Sequence, residues 1–141
     1  MDFDKFIEGC KDKLIDFDGA YGCQCVDLAR FYIKNCFKMY QPKAVEGAKD
    51  CFKEWAGFRC FGKEIRQVLS YNLKRGDMAI WNKTEKNKYG HIAIVLADKG
   101  DNILVFEQDG FKQNGVKIVS RSKENLLGGL RVVDLSKPCH Q

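Results

Sequence analysis

Hydrophobic spacing changes period half-way along this 141-residue chain, and that change limits the folds open to it. Phe3, Ile7, Cys10 and Leu14 recur at three- to four-residue spacing, which predicts an amphipathic helix over residues 2–14. Val26, Ala29, Ile33, Cys36 and Phe37 repeat the pattern. A second helix is therefore expected from Cys25 to a point before Pro42, since proline breaks a helix interior. Residues 44–55 and 63–69 read as shorter helical pieces. Beyond them, β-branched and aromatic residues gather in runs at 78–81, 91–97, 102–108, 116–121 and 130–133. Turn-forming segments such as Asp98-Lys99-Gly100 and Gly128-Gly129 divide these runs. Helices followed by an antiparallel meander is an α+β order. No repeat, linker or low-complexity tract interrupts it, and residues 1–141 suit one domain with one core.

Composition narrows the class. Hydrophobic residues make up 45% and charged residues 30%, which excludes a disordered chain. No apolar run reaches membrane-spanning length. The first residues, M-D-F-D-K-F-I-E, contain no apolar signal core, so synthesis in a cytoplasm is expected, and any action outside it requires release by other means. The net charge of +5 favours an anionic partner: nucleic acid, an anionic membrane or an anionic cell-wall polymer. Lys83, Lys86 and Lys88 are the densest basic group, but Glu85 interrupts them, and they read as solvated surface. The seven cysteines (10, 23, 25, 36, 51, 60, 139) contain no C-x-x-C pair. Their odd number leaves at least one thiol free. A reducing compartment and several plain core cysteines, Cys36 among them, are expected.

Three motifs carry chemistry. Residues 16–27, D-F-D-G-A-Y-G-C-Q-C-V-D, end in a cysteine where the helical period starts. A helix N-terminus acidifies a thiol, and its N–H groups can hold an oxyanion. Cys25 is thus a candidate nucleophile, with Cys23 a rival placed before the helix. His91 opens an apolar strand directly after Gly90 and can take and return a proton. Glu107 and Asp109 lie on one strand face, and an acid there can orient the imidazole. A three-residue loop at Asp98-Lys99-Gly100 would pair Ala97 with Asp101 and set His91 opposite Glu107. Asp16, Asp18 and Asp27 raise a metal question. An Asp-x-Asp-Gly turn offers hard oxygen ligands, but the same residues can cap local N–H groups, and spacing leaves both readings open.

Together these stretches, with R-G-D-M-A-I-W at 75–81, G-H-I-A-I-V at 90–95 and F-E-Q-D at 106–109, resemble the CHAP domain, a cysteine- and histidine-dependent amidohydrolase/peptidase of phage endolysins and bacterial autolysins. The likeness spans about residues 12–133. It implies a papain-like α+β fold, with N-terminal helices packed on an antiparallel sheet of five or six strands. It implies a peptidoglycan hydrolase, either an endopeptidase or an N-acetylmuramoyl-L-alanine amidase, acting through a thioacyl-enzyme. Cys25 would be the nucleophile, His91 the base and acid, and Glu107 its orienting partner. Many members carry asparagine where this chain has Asp109. An ionised carboxylate cannot donate to an oxyanion, which leaves the Cys25 N–H as donor and Gln24 as a second candidate. Some phage members bind calcium in the loop before the nucleophile. The resemblance therefore implies one structural calcium on Asp16, Asp18 and Asp27 with the carbonyls of Ala20 and Gly22, and no organic cofactor. The implied partner is bacterial peptidoglycan, with anionic wall polymers and a separate wall-binding domain or subunit as further partners; nucleic acid is not expected. The protein would be made in the host bacterial cytoplasm and act on the wall after release.

Three other readings compete. A zinc module on Cys10, Cys23 and Cys25 lacks the usual ligand spacing. A non-catalytic wall- or nucleic-acid-binding domain would use the charge alone. A thiol hydrolase could also act on another amide.

Overall fold

The computed structural model describes residues 1–17, 19, 24–109 and 112–136. Helix α1, Phe3–Cys10, starts at Asp2, whose carboxylate accepts the Lys5 N–H at 2.9 Å. It stops short of the predicted Leu14. The Asp12 N–H donates to the Val116 carbonyl (2.8 Å), and the Val116 N–H donates to the Lys13 carbonyl (2.9 Å), so the chain is drawn along a strand instead. Leu14 is 56% exposed, and its place in the apolar stripe was coincidental. Helix α2, Cys25–Phe37, starts at the expected residue and ends at Lys38 in left-handed geometry, φ 58°.

Residues 44–55 hold only a 3-10 turn at Ala48–Asp50 and a short helix α3 at Cys51–Glu54. Residues 63–69 overturn the helical expectation. They form strand β2, Lys63–Val68, paired with β1, Arg59–Cys60. Ile65 and Val68 lie three residues apart, a spacing that imitates a helix. Six residues of pairing with β7, Leu126–Asp134, override it. The remaining strands follow the predicted runs: β3 Met78–Trp81, β4 His91–Asp98, β5 Asn102–Gln108 and β6 Val116–Ser122. They make one antiparallel sheet in the order β1-β2-β7-β3-β4-β5-β6. Among the described residues it has seven strands rather than five or six, because β1 and β2 join its edge.

The sheet is covered by the helices on one face. Phe6, Leu28, Tyr32, Ile33 and Trp55 pack there with Ile92, Ile94, Phe106 and Leu130. Ala79, Trp81, Ala93, Val95, Ile103 and Val105 cluster on the other face. Burial of both faces explains why β4 reads as an unbroken apolar run. Two polar ties hold the layers in place. The Tyr32 hydroxyl donates to the Gly76 carbonyl (2.7 Å), and Arg131 forks onto the buried Asp77 carboxylate (2.8 Å each).

The β4–β5 hairpin corrects the expected register. Ile94 pairs with Phe106 and Val95 with Val105, and a bulge at Leu96 then sets Ala97 opposite Leu104. Ala97 does not pair with Asp101, and continuing the register puts Glu107 level with Ala93. The side-chain face survives the correction, because a shift of two residues preserves the pleat. Gly100 takes φ +98° at the turn, as the expected loop required.

Phe106 is fully buried and meets Phe6 edge-on, ring centroids 6.5 Å apart, beside the aromatic cluster around Tyr32. Phe106→Ala should cost about 3–5 kcal/mol of unfolding free energy, read by chemical denaturation. A loss below about 1 kcal/mol would mean that this layer is not the core.

Candidate active site

Three elements remote in sequence bring Cys25, His91 and Glu107 together. Cys25 is the first residue of α2 and is half-buried. The N–H groups of a first helical turn have no acceptor within the helix, so the Cys25 N–H has the chemistry of an oxyanion donor. Gln24 is exposed, and its backbone is held at both ends. Its N–H donates to Asp27 Oδ2 (2.9 Å), and its carbonyl accepts Gln108 Nε2 (2.9 Å).

His91 is the first residue of β4, cross-strand from Trp81. The two rings lie 5.8 Å apart at 45°, and the indole N–H donates to the Ser122 carbonyl (2.9 Å), so Trp81 forms a fixed wall for the imidazole. Gly90 precedes it with φ +74°, and a Cβ there would stand 2.4 Å from the Trp81 carbonyl oxygen. Only glycine fits, which gives the G-H pair its physical reason. His91 Nε2 meets Glu107 Oε1 at 3.0 Å. That leaves Nδ1 as the ring nitrogen for Cys25, whose side chain is also hydrogen-bonded to the imidazole. Burial drives the histidine's pKa down, but the bonds to Cys25 and Glu107 outweigh it and push it up to about 9.

Glu107 is 4% exposed. Burial alone would raise its pKa, but Arg121 and His91 hold it down at about 2. Arg121 was not singled out in the sequence reading. Its Nη2 donates to Glu107 Oε2 at 2.6 Å and its Nε to Oε1. Gln108 was also missed. It is fully buried and faces the helices, with Oε1 accepting the Ile15 N–H (2.7 Å) and Nε2 donating to the Ile15 carbonyl (2.7 Å) as well as to that of Gln24. A glutamine in an apolar strand is the one signal that could have marked it. Asp109 lies just past β5. Its Oδ1 accepts the Lys112 N–H (3.3 Å), and its charge acts on Arg121, so it behaves as an acceptor.

Cys10 and Cys51 are buried in the core, and Cys36 packs half-buried against it. Burial raises the pKa of Cys10, of Cys36 to about 11, and of Cys51, which is fully buried and senses Cys25 electrostatically. Cys23 lies outside the described residues. Of the candidate calcium ligands, Asp18, Ala20 and Gly22 lie outside them too. Asp16 Oδ1 accepts the Gly19 N–H (3.0 Å), and Asp27, buried, accepts the Gln24 N–H, so both act as local caps. Oxygen is the only donor type in the set, which suits a hard cation. Among the described residues, no three His, Cys, Asp or Glu side chains group so as to hold a metal, and no helix is long and apolar enough to cross a membrane.

The model of the CHAP domain family matches residues 15–109, two-thirds of the chain. The chain belongs to the CHAP domain family. A curated relative of this CHAP chain is the endolysin PlyTW of Staphylococcus phage Twort, 35% identical over 80 residues, which cover 57% of this chain and 16% of the relative. The wild-type endolysin LysIME-EF1 superposes with a TM-score of 0.71 at 20% identity, covering 90% of this chain and 61% of that one. Ly7917, solved with the hydrolysing product of MDP, gives 0.66 at 17% identity over 89% and 59%. The CHAP chain thus spans less than two-thirds of each of these relatives.

Two expectations follow. Gln108→Leu unties the start of α2 from β5 and should lower turnover about 100-fold, the scale of an ångström-sized misplacement, with secondary structure retained by circular dichroism. Unchanged turnover would show that Gln108 does not place the thiol. The second concerns pH. A histidine raised above its unfolded value of 6.5 adds stability in full below that pH and loses it as pH climbs through about 9. Denaturation midpoints should therefore fall more steeply from pH 6.5 to 9 in the native protein than in His91→Gln. Parallel curves would contradict the assignment.

Proposed function

We propose that this chain hydrolyses an amide bond of bacterial peptidoglycan. The observation that carries the reading is the convergence of Cys25, His91 and Glu107 from a helix start and two strands, with the imidazole bonded on both sides. Cys25 gives its proton to His91, and the sulfur attacks the amide carbonyl. The developing oxyanion lies against the Cys25 N–H, with the Gln24 side chain as a second donor. The imidazolium of His91 then protonates the departing amine, and the C–N bond breaks to leave a thioacyl-enzyme. Water, deprotonated by His91, attacks that thioester and releases the acid and the thiol. Glu107 stabilises the imidazolium and fixes its ring, as the acid of a triad does. Asp109 borders the site as a fixed anion next to Arg121 rather than as an oxyanion donor.

Family membership and the endolysin relatives support a cell-wall substrate. The bond lies either within the stem peptide or cross-bridge, or between muramic acid and L-alanine. The chain would work as a single catalytic domain, core about residues 12–133, together with a separate wall-binding domain or subunit and after release from the cytoplasm. A calcium ion held by Asp16, Asp18 and Asp27 with the carbonyls of Ala20 and Gly22 would brace the loop that carries Cys25.

Purified walls incubated with the protein should clear and yield muropeptides whose new termini, read by mass spectrometry, identify the bond. Cys25→Ala should release none; clearing by that variant at the native rate would refute the thiol mechanism. Calcium at 100 times its dissociation constant should add about 2.7 kcal/mol of stability, seen as a higher thermal midpoint that chelator reverses. An unmoved midpoint and no heat on calorimetric titration would remove calcium from the account.

A further inference from the structure

We propose that Arg121 is a positioning residue for this chemistry. Forked onto both oxygens of Glu107, it fixes the plane of the carboxylate that aligns His91 and keeps that carboxylate from taking the histidine's proton. The inference rests on the hydrolase reading above.

The geometry is specific. Arg121 sits on β6 level with Ile103, and its side chain reaches along the same face to Glu107. Nε and Nη2 take one carboxylate oxygen each, the planar fork that only arginine supplies. Oε1 is shared: it accepts from Arg121 and also meets His91 Nε2 at 3.0 Å. The carboxylate therefore cannot rotate without breaking either the fork or the histidine contact.

The electrostatics need the same partner. A carboxylate this buried is costly as an anion unless paired. Next to an imidazolium alone, its burial cost could also be relieved by accepting the proton and leaving a neutral pair. A permanent guanidinium removes that option, because arginine does not deprotonate. The charged and titratable groups that act here are His91 from β4, Glu107 from β5, Asp109 just beyond it, Arg121 from β6 and Cys25 from α2. With Arg121 present, the Glu107 carboxylate stays ionised down to about pH 2.

Arg121 also borders open space beside the site. Together with Ser120 it is common to two neighbouring clefts, one of about 230 Å³ beside Glu107, Asp109 and Lys112, the other of about 390 Å³ beside Trp81, Asn87 and His91.

The test compares Arg121→Met, Arg121→Lys and Cys25→Ala with the native protein, using carbon NMR of the Glu107 carboxyl and pH profiles of wall hydrolysis. In Arg121→Met, the Glu107 titration should move up from about 2 to 4.5 or above, and the acid limb of activity should rise with it. Turnover should fall by about 10- to 100-fold with KM little changed, because alignment is lost rather than binding. Arg121→Lys keeps the charge without the fork and should restore the Glu107 titration further than it restores turnover. An unmoved Glu107 titration, an unmoved acid limb, or a loss confined to KM would overturn the proposal. Should Arg121→Met fail to fold, Arg121→Gln, which also removes the charge and the fork, carries the same two readouts. The titration needs no activity, so the outcomes separate: no wall hydrolysis by the native protein would defeat the hydrolase reading, native-level hydrolysis by Cys25→Ala would defeat its thiol mechanism, and a Glu107 carboxyl indifferent to Arg121 would defeat this proposal.

Discussion

The pleat of β5 is the constraint on which the site depends. Successive residues of a strand point to opposite faces, and Glu107 and Gln108 use that alternation to hold the two halves of the candidate site. Glu107 points to the face that carries His91 and Arg121. Gln108 points to the helix face and bonds the carbonyl of Gln24, the residue before Cys25. One peptide unit therefore fixes the imidazole on one side and the start of α2 on the other. Insertion of a single residue before Glu107 would exchange the two side chains and separate His91 from Cys25.

From that strand outward the site is a chain of charge-assisted contacts: Arg121 to Glu107, Glu107 to His91, His91 to Cys25. Each inner group is too buried to carry charge alone, and each is held by its neighbour. The outermost link, Arg121, is the most exposed of the charged three and the only one whose charge does not depend on pH. The apolar layers around the chain supply rigidity. Trp81 fixes the ring of His91 from the adjacent strand, and Gly90 lets the chain pass close enough for that contact.

Much of this was legible in the residues, for identifiable reasons. The helix starting at Cys25 and the strands holding His91 and Glu107 have strong, unambiguous periods. The face shared by His91 and Glu107 was readable because parity survives a shift of two; the exact register was not, because a bulge at Leu96 cannot be read from spacing. Residues 63–68 were misread because two apolar residues at helical spacing sit in a strand whose stability comes from pairing with β7, remote in sequence. Arg121 and Gln108 escaped notice for a related reason. Their meaning lies in contacts to residues 14 and 84 positions away, and only the polarity of Gln108 at the end of an apolar strand hints at it.

The most direct measurement of the central claim is the mass of the protein itself, acid-quenched during wall digestion and mapped by peptide mass spectrometry. The account requires a wall-peptide adduct in thioester linkage on Cys25 and on no other of the cysteines. Digestion proceeding with no adduct at Cys25, or with the adduct on a different residue, would contradict it.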